Sequence, residues 1–252
     1  MTIEARVDAE ARTEPCPETA SLYARKRLEF GNEQCMQERR RCITATDVAV
    51  ILGINKYMSK LELARKKYNM TEPFEGNEAT RHGNSHEARA LRVYERVTGN
   101  KLMERPCGFV LGSRLVEAID WIGATPDGVL MHKPVLVEVK CPYWNPDLEN
   151  QQGLIPAIYY PQLQCQMAVT GFREVHFVRY RPSYFKEYVN EYIDVTVVGF
   201  NEDYWRDVAL PAIKEFKESL EMAPPPPKLR REKRVKRGHT IDYSLTPENE
   251  LV

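Results

Sequence analysis

The sequence specifies one mixed α/β domain, a central mixed β-sheet flanked by α-helices on both faces. Three features lead there. With 252 residues, 42% hydrophobic and 29% charged, the chain is long enough for a large single core and ordinary in composition for a soluble globular protein. Short β-branched runs, of which residues 135–140 (V-L-V-E-V-K) are the clearest, alternate with stretches of helical period, of which 77–98 is the longest. No internal repeat, phosphate-binding Gly-rich loop or Ser-His-Asp pattern competes with that reading.

Composition narrows the setting. No apolar run approaches the ~18 residues that span a bilayer, and the first segment, with Glu4, Asp8 and Glu10, is too acidic for a signal peptide. An intracellular protein of cytoplasm or nucleus, with no membrane partner, is the expectation. The six cysteines, at 16, 35, 42, 107, 141 and 165, form no CxxC pair, so they read as reduced thiols and not as zinc or disulfide ligands. Thirty-six basic and 36 acidic residues give a net charge of +0, yet 228–237 holds seven bases and one acid, and Arg39-Arg40-Arg41 is a second basic knot. Local positive patches on a neutral chain suit a protein that grips a polyanion along one channel.

Residues 1–20 read as a mobile leader, 21–222 as the domain, and 223–252 as a Pro-rich and basic tail that begins with Pro224-Pro225-Pro226-Pro227. Residues 21–41 read as one helix rich in Arg, Lys, Glu, Leu and Met. Thr44 with Asp47 three residues on resembles a capping box opening a short helix that Gly53 closes. Its free amides, the hydroxyls of Thr44 and Thr46, and the arginines upstream form a candidate anion pocket; a plain capped helix fits the same residues. Residues 61–68 form a basic helix, and 77–98 a long one stopped by Gly99. On it Glu87 shares a stripe with Ala90, Leu91, Tyr94 and Val97, and an acid on an apolar stripe needs a compensating partner. His82 and His86 stand four apart, but no third zinc ligand is evident, so they line a groove or cap the helix. Residues 101–111 and 114–122 read as strands about a Gly112-Ser113 turn, 143–155 as a loop, 156–170 as a helix ended by Gly171, 174–180 and 187–197 as strands, and 201–220 as a helix packing through Trp205, Val208, Ile213 and Phe216.

The chemistry gathers in 123–142, G-A-T-P-D-G-V-L-M-H-K-P-V-L-V-E-V-K-C-P. In the strand 135–140 alternate side chains share a face, so Glu138 and Lys140 project side by side. The turn signals Pro126-Asp127-Gly128 and Lys133-Pro134 fold Asp127 back beside Glu138 as a hairpin. Two carboxylates at a strand edge, with the carbonyl of Val139, make a hard-oxygen site for Mg²⁺ or Mn²⁺, and the lysine stands where it can position a water. A solvated Glu138–Lys140 ion pair on a surface hairpin is the plain alternative.

Asp127 followed by Glu138-Val139-Lys140 resembles the PD-(D/E)xK nuclease pattern. The longer strings G-A-T-P-D-G and V-E-V-K-C-P resemble the lambda-exonuclease, YqaJ-type viral recombinase branch, over residues 39–192. That resemblance implies a restriction-endonuclease-like core and a Mg²⁺-dependent exonuclease that digests double-stranded DNA from 5′ to 3′ in recombination or repair. It implies Asp127, Glu138 and Val139 as metal ligands, Glu87 as a third active-site acid, and Lys140 and Gln162 placing the nucleophile. Gln164 and Gln166 stand near enough to compete with Gln162. Gln166 occupies the place of a tyrosine found in wider RecB-like nucleases, and iron–sulfur relatives are excluded by the cysteine spacing. Arg39, Thr44 and Thr46 fall where relatives hold a 5′-phosphate, with Arg40 and Arg41 as rival members. The resemblance further implies a homotrimeric ring and a single-strand annealing protein as companion. A structure-specific or restriction-type endonuclease, or an inactive DNA-binding protein on the same fold, are the alternatives.

Overall fold

Strand pairing in the computed structural model builds two four-stranded sheets where the sequence suggests one. The structure describes residues 14–25, 27–28, 33–72, 75–104, 106–145, 147–183, 186 and 189–227. Residues 228–252, with the basic stretch 228–237, and the first 13 residues lie outside the described residues. In chain order the elements are α1 (Pro17–Ala24), β1 (Arg27–Leu28), α2 (Glu33–Arg41), β2 (Ile43–Thr44), a 3₁₀ turn (Ala45–Asp47) leading into α3 (Val48–Ile51), α4 (Lys60–Lys67) and α5 (Glu78–Thr98). Then follow β3 (Phe109–Leu111), β4 (Ile122–Ala124), β5 (Gly128–Val129), β6 (Val135–Lys140), α6 (Tyr160–Thr170), β7 (Glu174–Arg181) and β8 (Tyr192–Gly199). The last helix, α7, has three pieces, Glu202–Tyr204, a π-helical Trp205–Ala209 and Leu210–Met222.

The first sheet runs β1-β3-β4-β2 and the second β5-β6-β7-β8. Each has one parallel pair, β2 with β4 and β6 with β7, among antiparallel ones. Only Thr125, Pro126 and Asp127 separate β4 from β5, so the chain steps from one sheet to the other at the Pro-Asp-Gly turn. Strand β6 is buried over five of its six residues. Val135, Val137 and Val139 pack with Ala90, Val93 and Tyr94 of α5. Leu136 joins Leu163 of α6 and Phe177 of β7 in the larger core. Helix α6 is buried from Pro161 through Thr170, which explains why it shows no amphipathic stripe. It ends at Gly171, whose φ of 87° is left-handed and admits glycine readily.

Several expectations change in three dimensions. Residues 21–41 are not one helix: α1 ends at Arg25, whose backbone turns extended, and β1 pairs with β3 before α2 begins. Residues 17–20, assigned to the leader, belong to α1, with Thr19 fully buried and donating to the Leu130 carbonyl at 2.9 Å. Residues 114–121 are a closed loop instead of a strand. Ser113 N donates to Ile119 O at 2.7 Å, and the Arg114 and Leu115 amides turn to Ala168 O, which takes them out of any ladder. Val97 and Val208 are exposed. For Val208 the cause is the π turn, which adds a residue and hands the inward positions to Ala209 and Leu210. The strand expected at 187–197 begins at Tyr192, and part of its predicted start lies outside the described residues. Pro225 is buried, and Pro226 O accepts from Arg65 Nε at 2.8 Å, so the proline run begins against α4.

Candidate active site

Glu138 is placed by the alternation of β6 onto the α6 face, where its side chain is 2% exposed. A buried carboxylate needs donors, and three reach it. Lys140 Nζ and Gln162 Nε2 each lie 2.5 Å from Oε1, and Gln166 Nε2 lies 2.6 Å from Oε2. Gln162 and Gln166 are one helical turn apart on α6, so both amides face the strand. Gln164 points elsewhere: it accepts from Asn201 N and donates to Gly199 O. The competition among the three glutamines thus resolves into a clamp of two. The four-residue spacing puts Gln166 on the side of Gln162 and Tyr159 already in the sequence, but a helix buried all round offers no phase from which to rank the glutamines.

Asp127 completes the ladder that β5 leaves short. Strand β5 pairs with β6 only at Gly128↔Val137 and Val129↔Leu136. One step further along, Asp127 Oδ2 accepts from Val139 N at 2.8 Å, a side chain standing in for a strand. The N–H and C=O of a strand residue leave on the same side, so the Val139 carbonyl faces the Asp127 edge. Burial first, then Glu138 and Glu87, push the Asp127 carboxyl well above the usual range, against the pull of Lys140 and the Val139 amide. Glu87, half-buried on α5, is raised by burial and then by Glu138. Burial opposes charge on Lys140, but Glu138 and Asp127 outweigh it and raise the ammonium. Lys140 also lies 5.2 Å from the centroid of the Tyr159 ring, which helical spacing puts on the side of Gln162. The four ionisable groups therefore share one field, three acids against one base.

The phosphate-pocket residues divide. Arg39, at the end of α2, sets its guanidinium 5.1 Å from the Phe109 ring and donates to Thr125 Oγ1 at 2.9 Å, two residues before Asp127. Arg40 and Arg41 are exposed, and Arg41 pairs with Glu38 at 3.7 Å. Of the three arginines, Arg39 is the one directed at the acid site. Thr44 is buried, and its hydroxyl donates to Asp47 Oδ2 at 2.7 Å. With that proton spent, the exposed Thr46 hydroxyl is the donor in the 3.0 Å Thr44–Thr46 contact. Thr44 is therefore a support and not a ready anion donor, and α3 is too short to add much of a dipole. Behind them Lys67 Nζ reaches Asp47 Oδ2 at 2.6 Å, Arg39 O at 3.0 Å and Cys42 O at 2.5 Å. Burial would raise Asp47, but Lys67 and Thr44 hold its carboxyl below the usual range. Two of the Lys67 ammonium bonds thus fix the end of α2 that carries Arg39, and the third ties it to Asp47.

Among the described residues no three His, Cys, Asp or Glu side chains form a ready metal cage. His86 Nδ1 lies 2.8 Å from His82 O, which is a helix contact and not a zinc arrangement. The acid site nevertheless has the chemistry of a divalent cation site: hard oxygens from Asp127, Glu138 and the Val139 carbonyl, and carboxyls of Asp127 and Glu87 raised first by burial and then by their acidic neighbours, the second of which such an ion would relieve. Among the described residues no helix is long and apolar enough to cross a membrane, and none of the six cysteines is in a disulfide.

A hairpin acid tied to the strand that carries an E-x-K pair, on a mixed sheet between helices, defines a nuclease of the PD-(D/E)xK class with a restriction-endonuclease-like core. The family profile for the YqaJ-like viral recombinase domain matches residues 35–173. The chain belongs to that family. Among solved structures, the alkaline exonuclease LHK-Exo from Laribacter hongkongensis superposes with a TM-score of 0.57 at 25% identity, over 76% of this chain and 93% of that one. LHK-Exo in complex with dAMP gives 0.59 at 24% identity with the same coverage. A phage-related exonuclease from Haemophilus somnus 129PT gives 0.51 at 14% identity, over 72% of this chain and 96% of that one. No curated protein matches the chain.

Proposed function

We propose that the chain is a Mg²⁺-dependent exonuclease that degrades double-stranded DNA from 5′ to 3′. The observation that carries this reading is the joining of the E-x-K strand, the Asp127 hairpin and Arg39 through Thr125 into one neighbourhood. Asp127, Glu138 and the Val139 carbonyl would hold Mg²⁺ or Mn²⁺, with Glu87 as the further acid. When bound, the ion supplies Lewis-acid stabilisation of the charge that builds on the phosphodiester. Lys140 orients the attacking water and the leaving charge beside Glu138. The Gln162 and Gln166 amides hold Glu138 in its rotamer. Arg39, with Thr46, meets the terminal 5′-phosphate, while Thr44 and Lys67 set their positions.

The test is the initial rate in Mg²⁺ on linear duplexes that differ only in their terminal phosphate, beside a closed circle of the same sequence. Charge-assisted hydrogen bonds contribute ~1.5–3 kcal/mol each, so a 5′-hydroxyl end is cut at least ~10-fold more slowly than a 5′-phosphate end. Arg39→Ala erases most of that difference, and the circle survives. Cutting of the circle establishes the endonuclease alternative, and binding without cutting the inactive one.

Metal addition has a second readout. Raised folded-state pKa values at Asp127 and Glu87 mean that ionising them costs stability, a cost that appears above the ordinary carboxyl range and is complete above their folded values. Below that window protons occupy the acids and a cation gains no purchase. Mg²⁺ should therefore raise the melting temperature at pH 8 and much less at pH 5, relative to chelator. At about 100 times Kd the gain is ~2.7 kcal/mol, roughly 5–10 °C for a chain of this size. An equal gain at both pH values, or in Asp127→Asn, refutes this cation site.

A further inference from the structure

Just past the E-x-K strand the chain carries Tyr143 and Trp144, which the reading above leaves without a role. Trp144 is 54% exposed, whereas Trp205 is fully buried in the core and Trp121 packs against it. Lys186 holds its ammonium 3.9 Å from the Tyr143 ring centroid and 4.5 Å from that of Trp144. His82 meets Tyr143 edge-on at 5.6 Å and His86 at 4.3 Å, and the Tyr143 hydroxyl donates to Glu78 Oε2 at 2.8 Å. The loop is held from below. Arg179 donates to Gln151 O and pairs with Asp194 at 2.6 Å, Arg181 pairs with Glu149, and Leu148 is buried. Tyr143 lies three residues from Lys140, at most about 10 Å of extended chain, and His86 adjoins Glu87.

We propose that Tyr143, Trp144 and Lys186 form a stacking platform for an unpaired base of the DNA strand at the active site. Aromatic faces with a cation among them bind single-stranded nucleic acid, since every base offers a π-face and every linkage a charge. A duplex interior hides those faces, so the surface selects bases already separated from their partners. The proposal rests on the nuclease reading for its place in the reaction, but its test does not.

The measurement is binding of a labelled oligodeoxythymidine, and of a blunt duplex, to the full chain in chelator, where nothing is cut. Trp144→Ala should weaken oligonucleotide binding ~10-fold or more, and Trp144→Phe should restore most of it. Blunt-duplex binding should change less, and in Mg²⁺ the Trp144→Ala enzyme should show a raised KM with kcat retained. Unchanged oligonucleotide binding in Trp144→Ala, or an equal loss on blunt duplex, overturns the platform. If oligonucleotide binding depends on Trp144 while the wild type cuts no DNA in any divalent metal, the platform stands and the nuclease reading falls.

Discussion

Asp127→Asn is expected to lower DNA cleavage by at least ~10³-fold, because removing a charged metal ligand forfeits several kcal/mol of transition-state stabilisation. The substitution is chosen for what it keeps. Asn offers an amide oxygen where Asp127 Oδ2 now accepts from Val139 N, so the hairpin can retain its short ladder. It also removes the charge that burial and Glu138 already disfavour, so the fold should be no less stable than the metal-free wild type. Cleavage assays in Mg²⁺, with duplex binding measured in Ca²⁺ and a thermal melt as controls, read the effect. Cleavage within tenfold of wild type in a folded variant removes Asp127 from the metal site.

Lys140→Ala is expected to slow cleavage by ~10²-fold or more while duplex binding stays near wild type. Its ammonium sits 2.5 Å from Glu138 Oε1 and is 25% exposed, so it is both paired and within reach of substrate. A purely structural ion pair makes a different forecast. Loss of the lysine would then cost stability by leaving Glu138 buried with two amides alone, and the folded fraction would cut at the normal rate. Single-turnover rates normalised to folded protein separate the two. A normal rate with a lowered melting temperature assigns Lys140 to the scaffold.

What the sequence discloses depends on the range of the interaction. Glu138 beside Lys140 follows from a two-residue period, and Asp127 folded back toward Glu138 from the turn signals of one hairpin, so both are legible. Which of the three glutamines meet Glu138 is not, although spacing puts Gln162 and Gln166 on one side, because α6 is buried all round and shows no amphipathic phase. Nor is the commitment of Thr44, whose proton goes to Asp47 because Lys67, from another helix, makes Asp47 a buried anion. Residues 114–121 read as a strand from local sequence, but only the far end of α6 shows where the Arg114 and Leu115 amides go. The number of sheets is equally a matter of long-range pairing, which no local pattern contains.

The three-residue step from β4 to β5 divides the reacting groups between two sheets. Arg39 bonds to Thr125 on the first side of that step, while Glu138 and Lys140 belong to the second. A chain with only the second sheet formed would hold the acids and Lys140 without Arg39, the group proposed to meet the terminal phosphate. On the proposed function, docking of the two sheets is therefore the folding event that couples recognition of a DNA end to its cleavage.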